Sequence, residues 1–348
     1  KILISGSCTF HEVEWLGRFF WMARLIHAAC FASQRPLTPL HTAEHQLFIL
    51  QRPSAYQRTN CIVSALPLEE APVCPAALRV VCCDVDGTLL TPQHTVTERT
   101  VNTVMAVMDR GFTFCACTGR GRAGALGVLD DLGERLRREG APGVYLQGLQ
   151  VFGQAGALLE QQRLPPRVIQ KVAEFAADRG ISMIGYSGDM ILCEECNVWT
   201  DILLKYRDVP PQAAGSWSTI STEATINKLI LLSSAPVLAE MRIDLSQLLD
   251  TEASLTQAVP EMLEVLPRGA SKGCGVKTML DSLGVSPREV LAIGDAENDI
   301  EMLTLSGFSV AMDNAAAIVK ETASYVTASN EQDGAAQALE RFCLGSDL

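Results

Sequence analysis

Val80-Val81-Cys82-Cys83-Asp84-Val85-Asp86-Gly87-Thr88 is the stretch that decides the fold. Four apolar residues in a row that stop at an acid read as a short strand buried on both faces, the form strands take in a parallel sheet. Asp84 and Asp86 then stand at the carboxyl end of that strand, where open α/β sheets place their ligands. Gly87 lets the chain turn away and bring backbone amides towards a ligand. Downstream, Thr97 predicts a helix N-cap, Val101, Val104, Met105 and Met108 share one helical face, and Gly111 closes the helix. A second strand is expected over 112–117, ending at Thr118-Gly119-Arg120. This β-α-β unit implies a parallel sheet with a right-handed crossover. The same alternation returns late in the chain, with a strand over 290–293, a helix over 298–305 and a strand over 308–312.

Between these halves the texture changes. Pro165-Pro166 precedes a helix that puts Val168, Ile169, Val172, Phe175 and Ala176 on one face, with Gly180 at its end. Short strands are expected over 181–186, 190–193, 228–232 and 262–266. One helix with several short strands predicts a small α+β module inserted into the larger α/β domain. The expected division is a core of 79–160 and 259–348, an insert of 161–258, and an N-terminal extension of 1–78. The extension has a net charge of +1, opens on Lys1, and shows no regular periodicity. It reads as a presequence or a poorly ordered extension without a catalytic role.

Of the 348 residues, 48% are hydrophobic and 20% charged, which excludes a wholly disordered or fibrous chain. The formal charge of −12 argues against nucleic acid as a partner, because phosphate backbones need clustered Lys and Arg. The longest apolar run near the N-terminus is interrupted by Arg24 and His27, short of the ~18 residues of a membrane span. Twelve cysteines are present. Cys82, Cys83, Cys115 and Cys117 sit in apolar strand runs, where thiols behave as small hydrophobes. Cys193 and Cys196 alone have CxxC spacing, and a structural zinc site would need a second such pair. A reducing compartment is the simpler expectation.

A second acidic cluster, Gly294-Asp295-Ala296-Glu297-Asn298-Asp299, also follows a short apolar run. If the two strands are neighbours, Asp84, Asp86 and Asp295 converge on one sheet edge. Carboxylates that close repel one another unless a proton or cation intervenes, and oxygen-only ligation suits Mg²⁺. Taken singly, each cluster also reads as an ordinary strand-ending turn or a solvated loop. An EF-hand loop is excluded because its later ligand positions and closing Glu are missing. Thr118, followed by Gly119, offers a hydroxyl either for a helix N-cap or for a bound anion. Lys272, in Gly269-Ala270-Ser271-Lys272-Gly273 ahead of a helix, reads as a surface lysine or as a fixed anion contact.

In that order, Asp84-Val85-Asp86-Gly87-Thr88, Thr118-Gly119-Arg120, Ser271-Lys272-Gly273 and Gly294–Asp299 resemble the four motifs of the haloacid dehalogenase (HAD) superfamily. The resemblance is strongest to its Cof-type branch of small-molecule phosphatases, and it runs from about residue 79 to 342. It implies a Rossmann-like parallel-sheet core with an inserted α+β cap, and a Mg²⁺-dependent phosphomonoester hydrolase. Asp84 would be the nucleophile that forms an aspartyl-phosphate, and Asp86 the general acid and then base. Thr118, Gly119 and Lys272 would hold the phosphoryl group. Asp84, Asp86 through its backbone carbonyl, and Asp295 would hold the metal, with Asn298 and Asp299 in support. The substrate would be a small phosphorylated metabolite such as a sugar phosphate, with no nucleic-acid or membrane partner and no oligomeric state implied. A phosphomutase on the same core and a catalytically retired scaffold within a complex are the alternatives. The compartment would be cytoplasmic, or plastid or mitochondrial if 1–78 includes a presequence. The chain departs from the branch at Leu146-Gln147-Gly148, where Asn-Gly is usual, and at Asp313-Asn314-Ala315, where Gly-Asn-Ala is usual.

Overall fold

The computed structural model describes residues 77–345, so the extension expected over 1–78 lies outside the described residues except for Ala77 and Leu78. The strands are β1 (Val80–Cys83), β2 (Thr113–Cys117), β3 (Gly143–Tyr145), β4 (Gln150–Phe152) and β5 (Leu158–Gln161), then β6 (Ser182–Ser187), β7 (Met190–Cys193), β8 (Gln212–Ala213) and β9 (Lys228–Leu232), followed by β10 (Ser254–Val259), β11 (Met262–Leu266), β12 (Val290–Gly294), β13 (Phe308–Ala311) and β14 (Tyr325–Val326). They form an eight-stranded sheet in the order β14-β13-β12-β1-β2-β3-β4-β5 and a six-stranded sheet in the order β10-β11-β9-β6-β7-β8.

The first sheet is parallel from β14 to β3 and turns antiparallel at β4 and β5. β1 lies between β12 and β2 and explains why its sequence is continuously apolar. Val81 and Cys83 enter the hydrophobic cluster on one face, while Val80 and Cys82 enter the cluster on the other. The first face is covered by the helix Glu98–Asp109, whose N-cap Thr97 accepts from the Thr100 amide and which buries Val104, Val107 and Met108. The opposite face is covered by the helix Lys272–Leu283, capped by Ser271 and closed by Gly284 in a left-handed conformation.

The second sheet is largely antiparallel. One face packs on the helices Pro166–Ala177, Trp217–Glu223 and Ala235–Leu249 through Met183, Leu229, Leu231, Leu263 and Val265. The alternate residues Ile184, Tyr186, Ile230, Leu232 and Met262 pack with Leu146 and Leu149 of the first sheet's β3–β4 turn. The expected break at 258/259 falls before the last residue of β10, next to the turn of the β10–β11 hairpin. Both strands of that hairpin belong to the second sheet, because β11 also pairs with β9. The inserted sheet therefore extends to Leu266, and a boundary within the hairpin would break its backbone ladder.

At Gly148 the backbone has φ +94°, and a Cβ there would collide with the carbonyl of Ser271, one residue before Lys272. Gly148→Ala is expected to destabilise the protein by about 2–4 kcal/mol, from left-handed strain plus steric overlap. Chemical denaturation of the variant checks this, and an unchanged midpoint would contradict the packing described.

Candidate active site

The loops after β1, β2 and β12 open on the same edge because β1 is flanked by β12 and β2. The residue after β1, Asp84, is 4% exposed, and the last residue of β12 is Gly294, which delivers Asp295. Gly87, with φ +79°, brings the turn so close that a Cβ would collide with the Asp295 carboxylate. Thr88 donates to Asp295 Oδ1 at 3.0 Å, so the first acidic motif also orients an acid of the second.

Lys272, the first residue of its helix and 1% exposed, donates to Asp84 Oδ1 at 2.5 Å and to Asp299 Oδ1 at 2.8 Å. The other oxygen of Asp299 accepts the backbone amides of Asp295 and Ala296 at 3.1 and 3.0 Å. Both oxygens of Asp299 are thus engaged by the protein, and this acid braces the loop. Burial pushes the Asp84 carboxyl well above the usual range; the Lys272 charge opposes this, and the Asp299 and Asp295 carboxylates add to it. Burial and then Asp299 push Asp295 up to about 6. Burial works against the Lys272 ammonium, but Asp299 and Asp84 outweigh it and hold its pKa above the ordinary lysine value.

A carboxylate oxygen from each of Asp84, Asp295 and Asp299 lies within 4.8 Å of the other two. The donor set is oxygen only, and the raised carboxyls carry mutual repulsion that a cation would relieve. It therefore fits a hard divalent ion. Of the three acids, Asp84 and Asp295 face the adjoining cavity and Asp299 does not.

A cavity of about 300 Å³ brings Asp84, Asp86, Gly119, Lys272, Asp295 and Asn298 together. Thr118 is fully buried behind it, and its hydroxyl accepts the Arg120 amide at 3.1 Å. Thr118 does not cap the next helix; the residue before the helix Arg122–Val128 is Gly121. A larger cavity of about 530 Å³, beside the helix Pro166–Ala177, contains none of the expected site residues.

Several residues of the cavity carry no role in the sequence reading. Arg120 binds both Asp86 oxygens, at 2.7 and 2.6 Å, and leaves its NH1 buried without a partner. Its position in Thr118-Gly119-Arg120 was the signal that could have found it. Gln147, at φ +62°, accepts from Asn298 Nδ2 at 3.0 Å, leaving Asn298 Oδ1 buried and unpartnered. Outside the cavity lining, Asn314 donates to the Gly87 carbonyl at 2.9 Å and to Asp295 Oδ2 at 3.3 Å. From the second sheet, the buried Lys228 pairs with Glu264 at 2.7 Å and donates to the Gly119 carbonyl at 3.0 Å. Tyr206 stacks edge-on against His94 with ring centroids 4.9 Å apart. The six-stranded sheet thus forms one wall of the cavity.

Residues 81–339 match the model of the haloacid dehalogenase-like hydrolases. The chain is 35% identical to the chloroplastic endoribonuclease YBEY of Arabidopsis thaliana over 75% of its own length, and it spans 46% of that protein. It is 27% identical to the HMP-PP phosphatase of Cronobacter sakazakii, covering 67% of this chain and 83% of the relative. A haloacid dehalogenase-like hydrolase from Bacteroides thetaiotaomicron superposes with a TM-score of 0.71 at 25% identity, covering 76% of this chain and 99% of that one. With the family model matched across both halves of the core sheet, the chain belongs to the haloacid dehalogenase-like hydrolase family.

Proposed function

We propose that the cavity is the active site of a Mg²⁺-dependent phosphomonoester hydrolase acting on a small phosphorylated metabolite. The observation that carries this reading is the buried Asp84–Lys272–Asp299 ion cluster with the Asp295 carboxyl beside it, opening on a cavity of about 300 Å³. Asp84 is the nucleophile and takes the phosphoryl group as an aspartyl-phosphate; Asp86 gives a proton to the leaving oxygen and later takes one from water. Lys272 and the Thr118–Gly119 turn hold phosphoryl oxygens. Asp84, the Asp86 carbonyl and Asp295 hold the metal, which when bound offsets the charge between the carboxylate and its anionic target. Arg120 sets the orientation of Asp86 through its paired bonds. Arg120 and Asn298 line the cavity, and each keeps one buried polar atom, NH1 and Oδ1, without a hydrogen-bond partner.

The unit around the six-stranded sheet, residues 162–266, is the cap that closes over the substrate and excludes water. A sugar phosphate or similar metabolite suits a cavity of that size, and phosphatases of small molecules among the relatives support it. Among the described residues no helix is long and apolar enough to cross a membrane. A reducing compartment accords with the free thiols of Cys82, Cys83, Cys115, Cys117, Cys193, Cys196 and Cys274, and a plastid location with the chloroplastic relative.

The test is phosphate release from an aryl phosphate with and without Mg²⁺. Release that needs the metal supports the reading; a folded protein that releases none at any metal concentration refutes it. Asp295→Ala should raise the Mg²⁺ concentration for half-maximal rate by on the order of tenfold or more, since one of few protein ligands is lost. An overlay of the two metal titrations would remove Asp295 from the metal.

A further inference from the structure

The geometry points to a reversible disulfide between Cys193 and Cys196 that governs the chain segment lining one wall of the substrate cavity. Cys193 is the last residue of β7 and is buried; Cys196 lies three residues on, in the exposed turn that follows. Their sulfurs are 3.8 Å apart. The incoming strand aligns both, because the Cys193 thiol donates to the Gln212 carbonyl at 3.6 Å and the Cys196 thiol to the Pro211 carbonyl at 3.5 Å. Closing to a bonded distance of about 2.05 Å needs side-chain rotation and a small shift of the turn, not a change of fold. Cys82, Cys83, Cys115 and Cys117 are also close together, but all four are buried in the central sheet, beyond the reach of a reagent.

The position gives the bond a consequence. Past Cys196 the chain turns at Asn197, whose side chain exchanges hydrogen bonds with Ser182 on β6, while its backbone amide donates to the Thr200 hydroxyl and its carbonyl accepts from the Asp201 amide. It then enters the short helix Ile202–Lys205 and delivers Leu203, Tyr206 and Asp208 to the cavity, where Asp208 accepts from Tyr186 at 2.9 Å. A covalent tie from Cys196 to the end of β7 fixes where this segment leaves the sheet. The tie acts before the pocket residues, so it sets their position without touching the Asp84 centre.

The chemistry balances with a low-molecular-weight or protein disulfide as oxidant. The accessible Cys196 thiolate attacks one sulfur of that disulfide and expels a thiolate, leaving a mixed disulfide. Cys193 then loses its proton, attacks the Cys196 sulfur and expels the second thiolate. The protein gives up two protons and two electrons, and the oxidant becomes two thiols. Burial, and then Cys196, push the Cys193 thiol up to about 12, so the exposed sulfur reacts first and Cys193 resolves.

The test equilibrates the full chain in defined mixtures of reduced and oxidised dithiothreitol, quenches with iodoacetamide and maps the peptides by mass. The expected result is joint loss of alkylation at Cys193 and Cys196 as the mixture becomes oxidising, with no such bond in Cys196→Ser. Hydrogen exchange over 197–208 should slow on oxidation, and KM for an aryl phosphate should shift by about fivefold or more, the lower end of ordinary coupling between sites. Cys196 alkylating at every ratio would overturn the disulfide. A bond that leaves both exchange and KM unchanged would overturn its control of the cavity. The KM readout rests on the phosphatase reading; the mass and exchange readouts do not, so a protein without phosphatase activity still decides the disulfide.

Discussion

Asp84→Asn should lower phosphate release by on the order of 10⁴-fold or more, the scale seen when a catalytic nucleophile is deleted. The amide has the same volume and no oxygen able to attack phosphorus. The fold should survive the change, and the melting temperature should not fall. Asp84 is 4% exposed and sits against Asp299 and Asp295, so its ionised form is held at a cost that the neutral amide does not carry. The loss of one Lys272 partner opposes this gain, but Lys272 keeps Asp299 at 2.8 Å. Steady-state hydrolysis and a thermal scan on the same preparation separate the two effects. Activity within a hundredfold of the wild type would remove Asp84 as nucleophile; lost activity with a collapsed melt would make it a structural acid.

Lys272→Met carries a double cost. Loss of one preorganised cation beside the phosphoryl group should lower kcat/KM by about 10²–10³-fold. A sequence reading alone would expect little else, since methionine keeps most of the alkyl stem. The geometry adds a stability term, because Lys272 is the shared partner of two buried carboxylates. Removing one member of such a cluster strands the rest, at about 3–5 kcal/mol. Denaturant unfolding should show that loss in metal-free buffer, and Asp84→Asn combined with Lys272→Met should lose less than the two single effects added together, since the residues share one interaction. Strict additivity would mean that the 2.5 Å contact is not an energetic coupling.

The legible parts of this chain share a local cause. β1 could be read because a strand covered on both faces must be apolar throughout, and the helices Glu98–Asp109 and Pro166–Ala177 because each buries one stripe beside a recognisable start. β3, β4 and β5 escaped the reading: at three or four residues each they are too short to display a period. The extent of the inserted sheet was hidden for another reason. Of the hairpin only the strand over 262–266 is expected from sequence, and only the pairing of β10 with β11 and of β11 with β9 assigns both to the second sheet.

The site divides in the same way. Asp84, Asp86, Thr118, Lys272 and Asp295 could be named from sequence because each stands at the end of a strand or the start of a helix, a place marked by its neighbours. Their partners could not. The bonds from Arg120 to Asp86, Asn298 to Gln147, and Lys228 to Glu264 join residues that no local pattern relates. Sequence by itself determined the core sheet, its acidic edge and the order of the four motifs, because short-range burial and turn chemistry write these into adjacent residues. Tertiary structure alone decided which acid is braced and which is open, how Arg120 holds Asp86, and which cap residues wall the cavity. Those outcomes depend on distances between segments far apart in the chain, and a hydrogen bond or ion pair exists only when folding brings both of its atoms within reach.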